Sequence, residues 1–335
     1  SARGRSIAMK IFFFGIQYHT YTRAIIAEME ALGAEVTFVD LQPRTVGYKV
    51  MRTLARAAFE RMVRQRLVDA VEAARSTQYD KVVFLQAHQM PLDVLERLRE
   101  TQQRAQFSLY NWDAITTHDY RPQAAYFHRV LTFDRRDAEA HGYGYLPLFC
   151  IRRWQELATD RATPRSVYMV GNIVRLERYC AVAQFRAFCA TQGLTFRDHL
   201  KISPVVLAQA LRQGVRPRGV SLRAIPESRF ATMIETGRAA FDFANHAQSG
   251  QTMRMMESLC SGKKIITNNQ WVKQEPFYSP DRIHVFEGTD FSGVPGFLDT
   301  PIADPSARFE GYFVQSFTRK FLGLDTVPTA RGTHD

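Results

Sequence analysis

The sequence has few cysteines and no long apolar run. Its four cysteines, Cys150, Cys180, Cys189 and Cys260, are scattered without a Cys-x-x-Cys pair, so neither a zinc site nor a disulfide framework is expected. We interpret them as small core residues of a reduced, cytoplasmic protein. No apolar stretch approaches the roughly 20 residues that a transmembrane helix needs. The first residues also lack the apolar segment of a signal peptide.

Acidic residues are scarce relative to basic ones. The chain contains 44 Lys and Arg against 33 Asp and Glu, a net charge of +11, which favours phosphate-bearing partners such as nucleotides, nucleic acid or anionic lipid. A nucleic-acid-binding protein is the less favoured alternative, because zinc-finger spacing, an aromatic RNA-binding stripe and a basic tail are all missing. At 335 residues with 45% hydrophobic residues, the chain is expected to form two ordinary folded domains.

Short apolar strand patterns alternate with helical patterns along the first half. Lys10–Gly15 is followed by a helical pattern that Gly33 ends, and Glu35–Asp40 alternates like a strand. One long Arg-rich helix is predicted over residues 49–75, and a shorter one over 91–100. Further strands are predicted at 80–86, 106–110, 129–133 and 144–149. This order predicts a parallel α/β domain over residues 9–150.

The alternation breaks at residues 151–164, which are charged and lack a clear apolar period. We interpret this segment as an interdomain connection. A second set of strand and helix patterns predicts another α/β domain over residues 165–324, followed by a frayed tail at 325–335. The fold class is therefore expected to be α/β, with two Rossmann-like domains facing each other across a cleft.

A polar loop and helix start in the second half form the richest motif. An apolar strand at 239–243 leads into a loop that contains Ser249 and Gly250, and a helix is predicted to begin near Gln251 or Thr252. Backbone N–H groups at a helix start, together with the positive end of the helix dipole, bind phosphate. Because glycine has no side chain, Gly250 would let the backbone approach a ligand closely.

Two charged residues follow in the same helix. Arg254 in the first turn offers a planar guanidinium group to phosphate oxygens. Glu257 lies three residues on, on the same helix face, where a carboxylate can accept hydrogen bonds from ribose hydroxyls. The alternative interpretation is an ordinary capped helix start with a surface ion pair between Arg254 and Glu257.

Four more residues are candidates for the same site. Gly171 and Asn172 end the first strand pattern of the second domain. Asn245 and His246 follow the strand at 239–243, and His246 could bind a phosphate or have a merely structural role. Since ligands bind beyond the carboxyl ends of parallel strands, all four are predicted to line the ligand side of this domain.

Residues 248–267 resemble the donor-site motif of bacterial GT-B-type glycosyltransferases of capsule, exopolysaccharide and lipopolysaccharide biosynthesis. That pattern runs roughly Gln-(Thr/Ser)-Gly-x-Thr-x-Arg-x-x-Glu, and the chain reads Gln248-Ser-Gly-Gln-Thr-Met-Arg-Met-Met-Glu257, followed by Gly262-Lys-Lys-Ile-Ile-Thr267. Less specific resemblance extends over nearly the whole chain, through MKIFFFG, FSLYNWDAI, RVLTFDRRDAEAHGYGYLPLF and VYMVGN. One departure is that Ser249 and Gln251 flank Gly250, where the family often has Thr and Leu.

The resemblance implies the GT-B fold and a sugar transferred from a nucleotide-activated donor, with a UDP-linked donor favoured. It implies that Thr252 and Arg254 contact the donor pyrophosphate and that Glu257 holds the ribose. The acceptor is then a surface polysaccharide or a lipid-linked glycan, bound by the first domain on the cytoplasmic side of the membrane. A sugar-nucleotide epimerase of the same fold is the enzyme alternative.

No cofactor and no metal are expected. Asp134 and Asp137 are separated by two residues and therefore do not form an Asp-x-Asp motif, and no His, Asp or Glu cluster has metal-ligand spacing. The resemblance implies that a helix terminus and basic side chains stabilise the departing diphosphate instead.

The first domain supplies the candidate base and acceptor-binding residues. Asp113 follows a strand and could take the proton of an acceptor hydroxyl, the requirement of an inverting transfer. Trp112 beside it could stack on a sugar ring. The alternative is that Asp113 caps a short helix and that Trp112 belongs to the core.

Two other loops of this domain carry candidates. The loop after the first strand contains Gln17 and Tyr18, which could contact the acceptor, and His19, a second candidate base. His88 follows another strand and is a further acceptor-binding candidate. A retaining enzyme, or a base elsewhere in the chain, stays open.

The Arg-rich helix suggests one more partner. It interleaves basic and apolar residues and could lie on an anionic membrane, or it could simply present a solvated face. Its basic residues include Arg52, Arg56, Arg61, Arg64 and Arg66.

Overall fold

The computed structural model describes residues 8–18, 20–43, 51, 54–157, 161–244, 248–304 and 309–327. The chain divides into two compact units, one comprising Ser1–Leu148 with Val314–Asp335 and the other comprising Phe149–Phe313. Residues from 314 onward thus belong with the first unit, whereas the sequence placed 314–324 in the second domain.

The first unit is built on a fully parallel six-stranded sheet. Its strands are β1 (Lys10–Gly15), β2 (Glu35–Asp40), β3 (Lys81–Leu85), β4 (Gln106–Asn111), β5 (Arg129–Thr132) and β6 (Gly144–Tyr145). Their order across the sheet is β2-β1-β3-β4-β5-β6. The helices between them are α1 (Tyr21–Ala31), α2 (Arg56–Ala73), α3 (Leu92–Thr101), α4 (Arg121–Ala124) and α5 (Arg135–His141), with a 3₁₀ turn at Ala74–Ser76.

Aromatic side chains fill the core of the first unit. The three consecutive phenylalanines of β1 are all buried, as expected for a parallel strand covered on both faces. Phe14 stacks on Phe84 with ring centroids 4.5 Å apart, and Phe12 stacks on Tyr79 at 4.7 Å. These contacts fix β1 and β3 side by side in the middle of the sheet.

The second unit repeats this architecture with another fully parallel six-stranded sheet. Its strands are β7 (Ser166–Ile173), β8 (Thr195–Ile202), β9 (Val220–Ser221), β10 (Ala239–Asp242), β11 (Lys264–Thr267) and β12 (Ile283–Val285), in the order β12-β11-β10-β7-β8-β9. Its helices are α6 (Arg152–Gln155), α7 (Leu176–Thr191), α8 (Pro204–Arg212), α9 (Glu227–Thr236), α10 (Met253–Cys260) and α11 (Val294–Asp299), with 3₁₀ turns at Gln270–Gln274 and Glu310–Tyr312.

A C-terminal helix, α12 (Val314–Phe321), explains why the chain end belongs to the first unit. Its buried Phe317 packs edge-on against Tyr110 of β4 with ring centroids 4.8 Å apart. Phe321, one turn later, packs against Phe13 of β1 at 6.3 Å. Buried apolar side chains at i and i+4 therefore attach this helix to the first sheet.

The segment predicted as a connection is partly structured. It contains α6, where Trp154 is buried and packs edge-on against Phe230 with ring centroids 5.0 Å apart. Its described residues belong to the second unit. The Trp154 side chain, the hydrogen bond from the Ser261 hydroxyl to the Trp154 carbonyl oxygen and the ion pair between Arg153 and Glu227 attach this charged segment to the second unit.

The cysteine prediction was wrong in one respect, because Cys150 and Cys260 form a disulfide across 110 residues. Their side chains are buried beside Phe313. Cys189 is a buried free thiol and Cys180 an exposed one. The disulfide joins the segment before α6 to the last residue of α10.

Within the described residues the predicted Arg-rich helix is interrupted, because Met51 and Leu54 are helical and Ala55 is not. Helix α2 covers Arg56–Ala73, while Arg52 and the predicted helix start at 49–50 lie outside the described residues. Several of its charges are paired: Arg56 with Glu60, and Arg64 with Asp93 of α3. No helix in the described ranges is both long and apolar enough to cross a membrane.

Candidate functional site

The carboxyl ends of β7, β10 and β11 lie side by side in the second sheet. Gly171 and Asn172 lie within β7, close to its carboxyl end, while the loops after β11 and β10 carry, respectively, Asn268 with Asn269 and the segment before α10. This edge is where open parallel sheets bind ligands. Asn245 and His246 belong to the second of these loops but lie outside the described residues.

Helix α10 begins where the sequence predicted, with Thr252 as its N-cap. The Thr252 hydroxyl accepts a hydrogen bond from the Met255 backbone N–H at 3.1 Å and donates one to Asp242 Oδ1 at 3.0 Å. Since Asp242 ends β10, these two bonds attach the helix start to the edge of the sheet. The hydroxyl is therefore committed to protein atoms.

The loop before α10 is held from the neighbouring strand. The side-chain amide of Asn269, just after β11, donates to the carbonyl oxygens of Ser249 at 3.1 Å and Gly250 at 3.3 Å. It also contacts Gln251 Oε1 at 3.3 Å. Ser249 and Gln251 are buried, so they shape the loop from inside rather than offer exposed side chains to a ligand.

Arg254 and Glu257 form an ion pair, but not a surface one. Arg254 Nη1 donates to Glu257 Oε2 at 2.9 Å, and the Glu257 side chain is 0% exposed against 38% for Arg254. The Arg254 guanidinium lies over the Phe230 ring, 4.1 Å from its centroid, a cation–π contact that orients it. Burial raises the pKa of Glu257 well above its usual range.

Burial also limits what Glu257 can contact. Its Oε1 atom is enclosed and has no hydrogen-bond partner among the described residues. The predicted contact with a ribose therefore requires a rearrangement that opens this carboxylate, whereas the half-exposed Arg254 can reach a ligand directly.

Arg178 is a candidate that sequence reasoning missed. It lies in the first turn of α7, and its half-buried side chain is near Asp242. Burial raises the pKa of Asp242, and the positive charge of Arg178 lowers it. Its Nε atom is enclosed without a partner in the described ranges. A Cβ added at Gly171 would lie 3.0 Å from Arg178 Nη2, so Gly171 leaves room for this side chain. The signal available in the sequence was a basic residue early in the helical pattern that follows the strand containing Gly171 and Asn172.

In the first sheet, Asp113 is held by a residue from the neighbouring strand end. Gln86 follows β3, is 3% exposed, and donates from Nε2 to Asp113 Oδ2 beyond β4. Gln86 has a φ of +65°, a left-handed conformation that costs energy in a non-glycine residue and clusters at functional sites. Burial raises the pKa of Asp113, while the Gln86 hydrogen bond and the charge of His118 lower it.

Aromatic rings from the loops after β1, β3 and β4 pair with one another at this edge of the sheet. Trp112 is half-buried and packs edge-on against Tyr18 with ring centroids 5.6 Å apart, so it is not a core residue. His88 stacks on His118 at 4.0 Å with ring planes 3° apart. Burial, together with the charge of His118, lowers the pKa of His88 to about 4. His118 was not predicted from the sequence.

The remaining first-unit candidates are placed as follows. Gln17 is exposed at the loop after β1, and His19 lies outside the described residues. Asp134 caps α5 by accepting from the Asp137 backbone N–H at 3.1 Å, which gives it a structural role. Across the described part of the chain, no group of three or more His, Cys, Asp or Glu side chains is arranged to hold a metal ion.

No protein-family model matches the chain. No curated protein sequence matches it either.

Solved structures, by contrast, resemble it over nearly its full length. An α-glucosyltransferase in complex with UDP and a mismatched 13-mer DNA is 10% identical, with a TM-score of 0.60 over 94% of this chain and 95% of that one. The apo lipopolysaccharide outer core galactosyltransferase WaaB is 12% identical, with a TM-score of 0.51 over 93% and 95%. A putative UDP-N-acetylglucosamine 2-epimerase from Listeria monocytogenes is 10% identical, with a TM-score of 0.51 over 96% and 98%.

At these identities the likeness concerns the fold. It confirms the predicted class, α/β with two Rossmann-like domains of the GT-B type. The same fold is found here in two glycosyltransferases and an epimerase, so activity has to be argued from the site.

Proposed function

We propose that this protein is a glycosyltransferase that moves a sugar from a nucleotide-activated donor to a glycan acceptor. The observation that carries the proposal is the start of α10, where a capped helix terminus, the half-exposed Arg254 and the neighbouring Arg178 lie at the ligand edge of the second sheet. Positive charge concentrated at a helix N-terminus suits a diphosphate.

In this proposal the second unit binds the donor. The helix start and the two arginines face the diphosphate, whose negative charge increases as the bond to the sugar breaks, so they stabilise the transition state more than the bound donor. UDP is the favoured nucleotide, in line with the resemblance in residues 248–267 and with the UDP bound by the similar α-glucosyltransferase. Because the arginines supply the positive charge, we expect transfer to persist in excess chelator.

The first unit binds the acceptor and supplies the base. Asp113 accepts the proton of an acceptor hydroxyl, the oxygen attacks the anomeric carbon, and the bond from that carbon to the diphosphate oxygen breaks. Gln86 acts as a positioning residue, since its amide holds the Asp113 carboxylate. The half-exposed rings of Trp112 and Tyr18 offer a stacking surface for a sugar.

The proposed acceptor is a surface polysaccharide or a lipid-linked glycan on the cytoplasmic side of the membrane. The motif resemblance to capsule and lipopolysaccharide transferases supports this choice. The fold likeness to a lipopolysaccharide galactosyltransferase agrees with it.

An epimerase is the second candidate, favoured by the fold likeness to a putative UDP-N-acetylglucosamine 2-epimerase. One assay separates the possibilities: incubation with a panel of nucleotide sugars, with and without a glycan acceptor, followed by chromatography and mass spectrometry. A glycosylated acceptor together with free nucleoside diphosphate supports the transferase. An isomerised donor in the absence of acceptor identifies the epimerase, and no turnover with any donor contradicts both.

Two site variants, Asp113→Asn and Arg254→Ala, test the roles of these residues in the same assay. Asp113→Asn keeps the size and hydrogen bonding of the side chain but removes its basicity, so turnover should fall roughly 100-fold or more while donor binding changes little. Arg254→Ala should weaken donor binding and transfer together. Near-parental turnover in Asp113→Asn would remove Asp113 from the mechanism and leave His19 as the candidate base.

A further inference from the structure

Helix α8 has an unusual outer face. Its sequence is PVVLAQALR, and only Ala210 is buried, with Val206 and Leu207 half-buried against the core. A surface helix normally turns polar residues outward. Here Val205 is 77% exposed and Leu211 52% exposed, and Leu222 after β9 is 56% exposed. Aliphatic side chains therefore project into solvent along one edge of the second unit.

The same edge carries unbalanced positive charge. Between Asp198 and Glu227 the sequence has five basic residues and no acidic one. Arg212, Arg216 and Arg223 are exposed, and within the described residues none forms an ion pair. The two flanking acids are already paired, Asp198 with Arg186 at 2.7 Å and Glu227 with Arg153.

We propose that this edge, the α8 surface (Val205, Leu211, Arg212, Arg216, Leu222 and Arg223), binds an anionic lipid bilayer. Exposed aliphatic side chains that alternate with cations are the composition of interfacial membrane-binding segments: the apolar groups enter the headgroup region while arginines contact lipid phosphates. In α2, by contrast, two of the four arginines, Arg56 and Arg64, are already paired with carboxylates of the protein.

A nucleic acid fits the α8 surface less well. Phosphates would satisfy the arginines, but the aliphatic side chains would then stay exposed. Residues 199–229 contain no Phe, Tyr or Trp, and proteins that bind single strands without sequence preference use such rings as stacking platforms. The combination of apolar and basic groups is therefore better matched to a lipid surface.

Vesicle flotation with two matched variants tests the proposal. Arg212, Arg216 and Arg223 are changed to Gln in one variant, and in the control the exposed Arg23, Arg97 and Arg104 are changed to Gln, so both lose the same charge. We expect the whole protein to float with phosphatidylcholine–phosphatidylglycerol vesicles at low salt and not with phosphatidylcholine alone. The α8 variant should bind more than about tenfold more weakly, and the control should bind like the parent.

A further variant tests the contribution of the aliphatic side chains of the α8 surface. In it, Val205, Leu211 and Leu222 are changed to Ser. It should bind anionic vesicles more weakly than the parent at a salt concentration that screens the charges. Equal losses in the α8 and control variants, or no flotation of the parent, overturn the proposal. So does oligonucleotide binding that depends on the same arginines without vesicle binding, or a dimer that the Ser variant dissociates.

The test does not depend on the proposed transfer reaction. Flotation needs neither donor nor acceptor, and transfer to a soluble acceptor can be measured in parallel. Loss of flotation with transfer intact separates the α8 surface from the donor site.

Discussion

A hydrogen bond between the side chains of Gln86 and Asp113 lies at the centre of the candidate acceptor site. Their hydrogen bond joins the ends of two neighbouring strands and depends on the left-handed backbone of Gln86. Sequence patterns locate Asp113 after a strand, but they do not indicate which of several polar neighbours contacts its carboxylate. That contact follows from the strand order β3-β4 and from one unusual φ angle.

Changing Gln86 to Glu should shift the pH dependence of transfer. The rate falls as the pH falls through the pKa of Asp113, because the base must be ionised. A second carboxylate in contact would share one proton with Asp113 and raise the apparent pKa, so the acidic limb should move up by about one pH unit or more. The measurement is the pH profile of kcat at saturating donor.

Gln89→Glu is the control, since it adds the same charge in the same loop without contacting Asp113 through a hydrogen bond. It should shift the profile much less than Gln86→Glu. Identical profiles for the parent and Gln86→Glu would show that Gln86 does not position the base.

Glu257 should make the free protein less stable as the pH rises from the acidic range. Burial raises its folded pKa, so ionisation favours the unfolded chain once the pH exceeds the unfolded value of about 4.3. Stability is then lost as the pH rises, at about 1.4 kcal/mol per pH unit, until the folded pKa is reached. Glu257→Gln cannot ionise, so its stability advantage over the parent should grow as the pH rises above about 4.

Urea unfolding of the parent and Glu257→Gln across this pH range checks the sign. The exposed Glu30→Gln serves as control and should show no growing advantage. If Glu257→Gln is less stable than the parent at neutral pH, the carboxylate is ionised and its pair with Arg254 stabilises the fold.

At the scale of single elements, α10 depends on its N-cap. Thr252→Ala removes the hydrogen bond to the Met255 N–H and the one given to Asp242. The loss of the cap alone should lower the free energy of unfolding by about 1 kcal/mol. Thr252→Ser keeps the hydroxyl and should unfold close to the parent in urea. A Thr252→Ala protein as stable as Thr252→Ser would contradict the assigned capping role.

Elements with strong local patterns were predicted well. The strands β1 and β2 coincide with their predicted ranges, and α10 begins at Met253, within two residues of its predicted start. For β8 the apolar pattern predicts a strand over residues 194–196 only, because Arg197, Asp198, His199 and Lys201 interrupt the pattern. Asp198 is tolerated there because Arg186 of α7 pairs with it, a contact that no local pattern indicates.

α8 and α12 were missed for different reasons. α8 leaves Val205 and Leu211 exposed, so its apolar residues do not mark a single buried face. α12 is amphipathic, but it belongs to the first sheet after some 165 residues of another unit. The candidate sites differ in the same way. The α10 motif lies in one continuous stretch of sequence and could be predicted from it. Arg178 and Gln86 become candidates only through their contacts with residues that are distant in the sequence.

At the scale of the whole molecule, the disulfide closes a loop that contains most of the second unit. Cys150 and Cys260 are 110 residues apart, and closing a loop of this length restricts the unfolded chain. The double change to Ser should lower the stability of the second unit by about 2–4 kcal/mol in non-reducing urea unfolding. Cys180→Ser, which removes an exposed free thiol, should leave stability near that of the parent. Four reactive thiols in the unreduced, denatured protein would contradict the disulfide.

The central claim, a nucleotide-sugar site at the start of α10, is tested most directly by calorimetric titration with UDP, GDP and ADP. We predict that the parent binds at least one of them, with UDP favoured. Arg254→Ala should bind it about 10- to 100-fold more weakly, the scale of a lost charge-assisted hydrogen bond. Asp113→Asn, altered in the other unit, should bind like the parent. No binding of any nucleotide, or equal binding by Arg254→Ala and the parent, would contradict the claim.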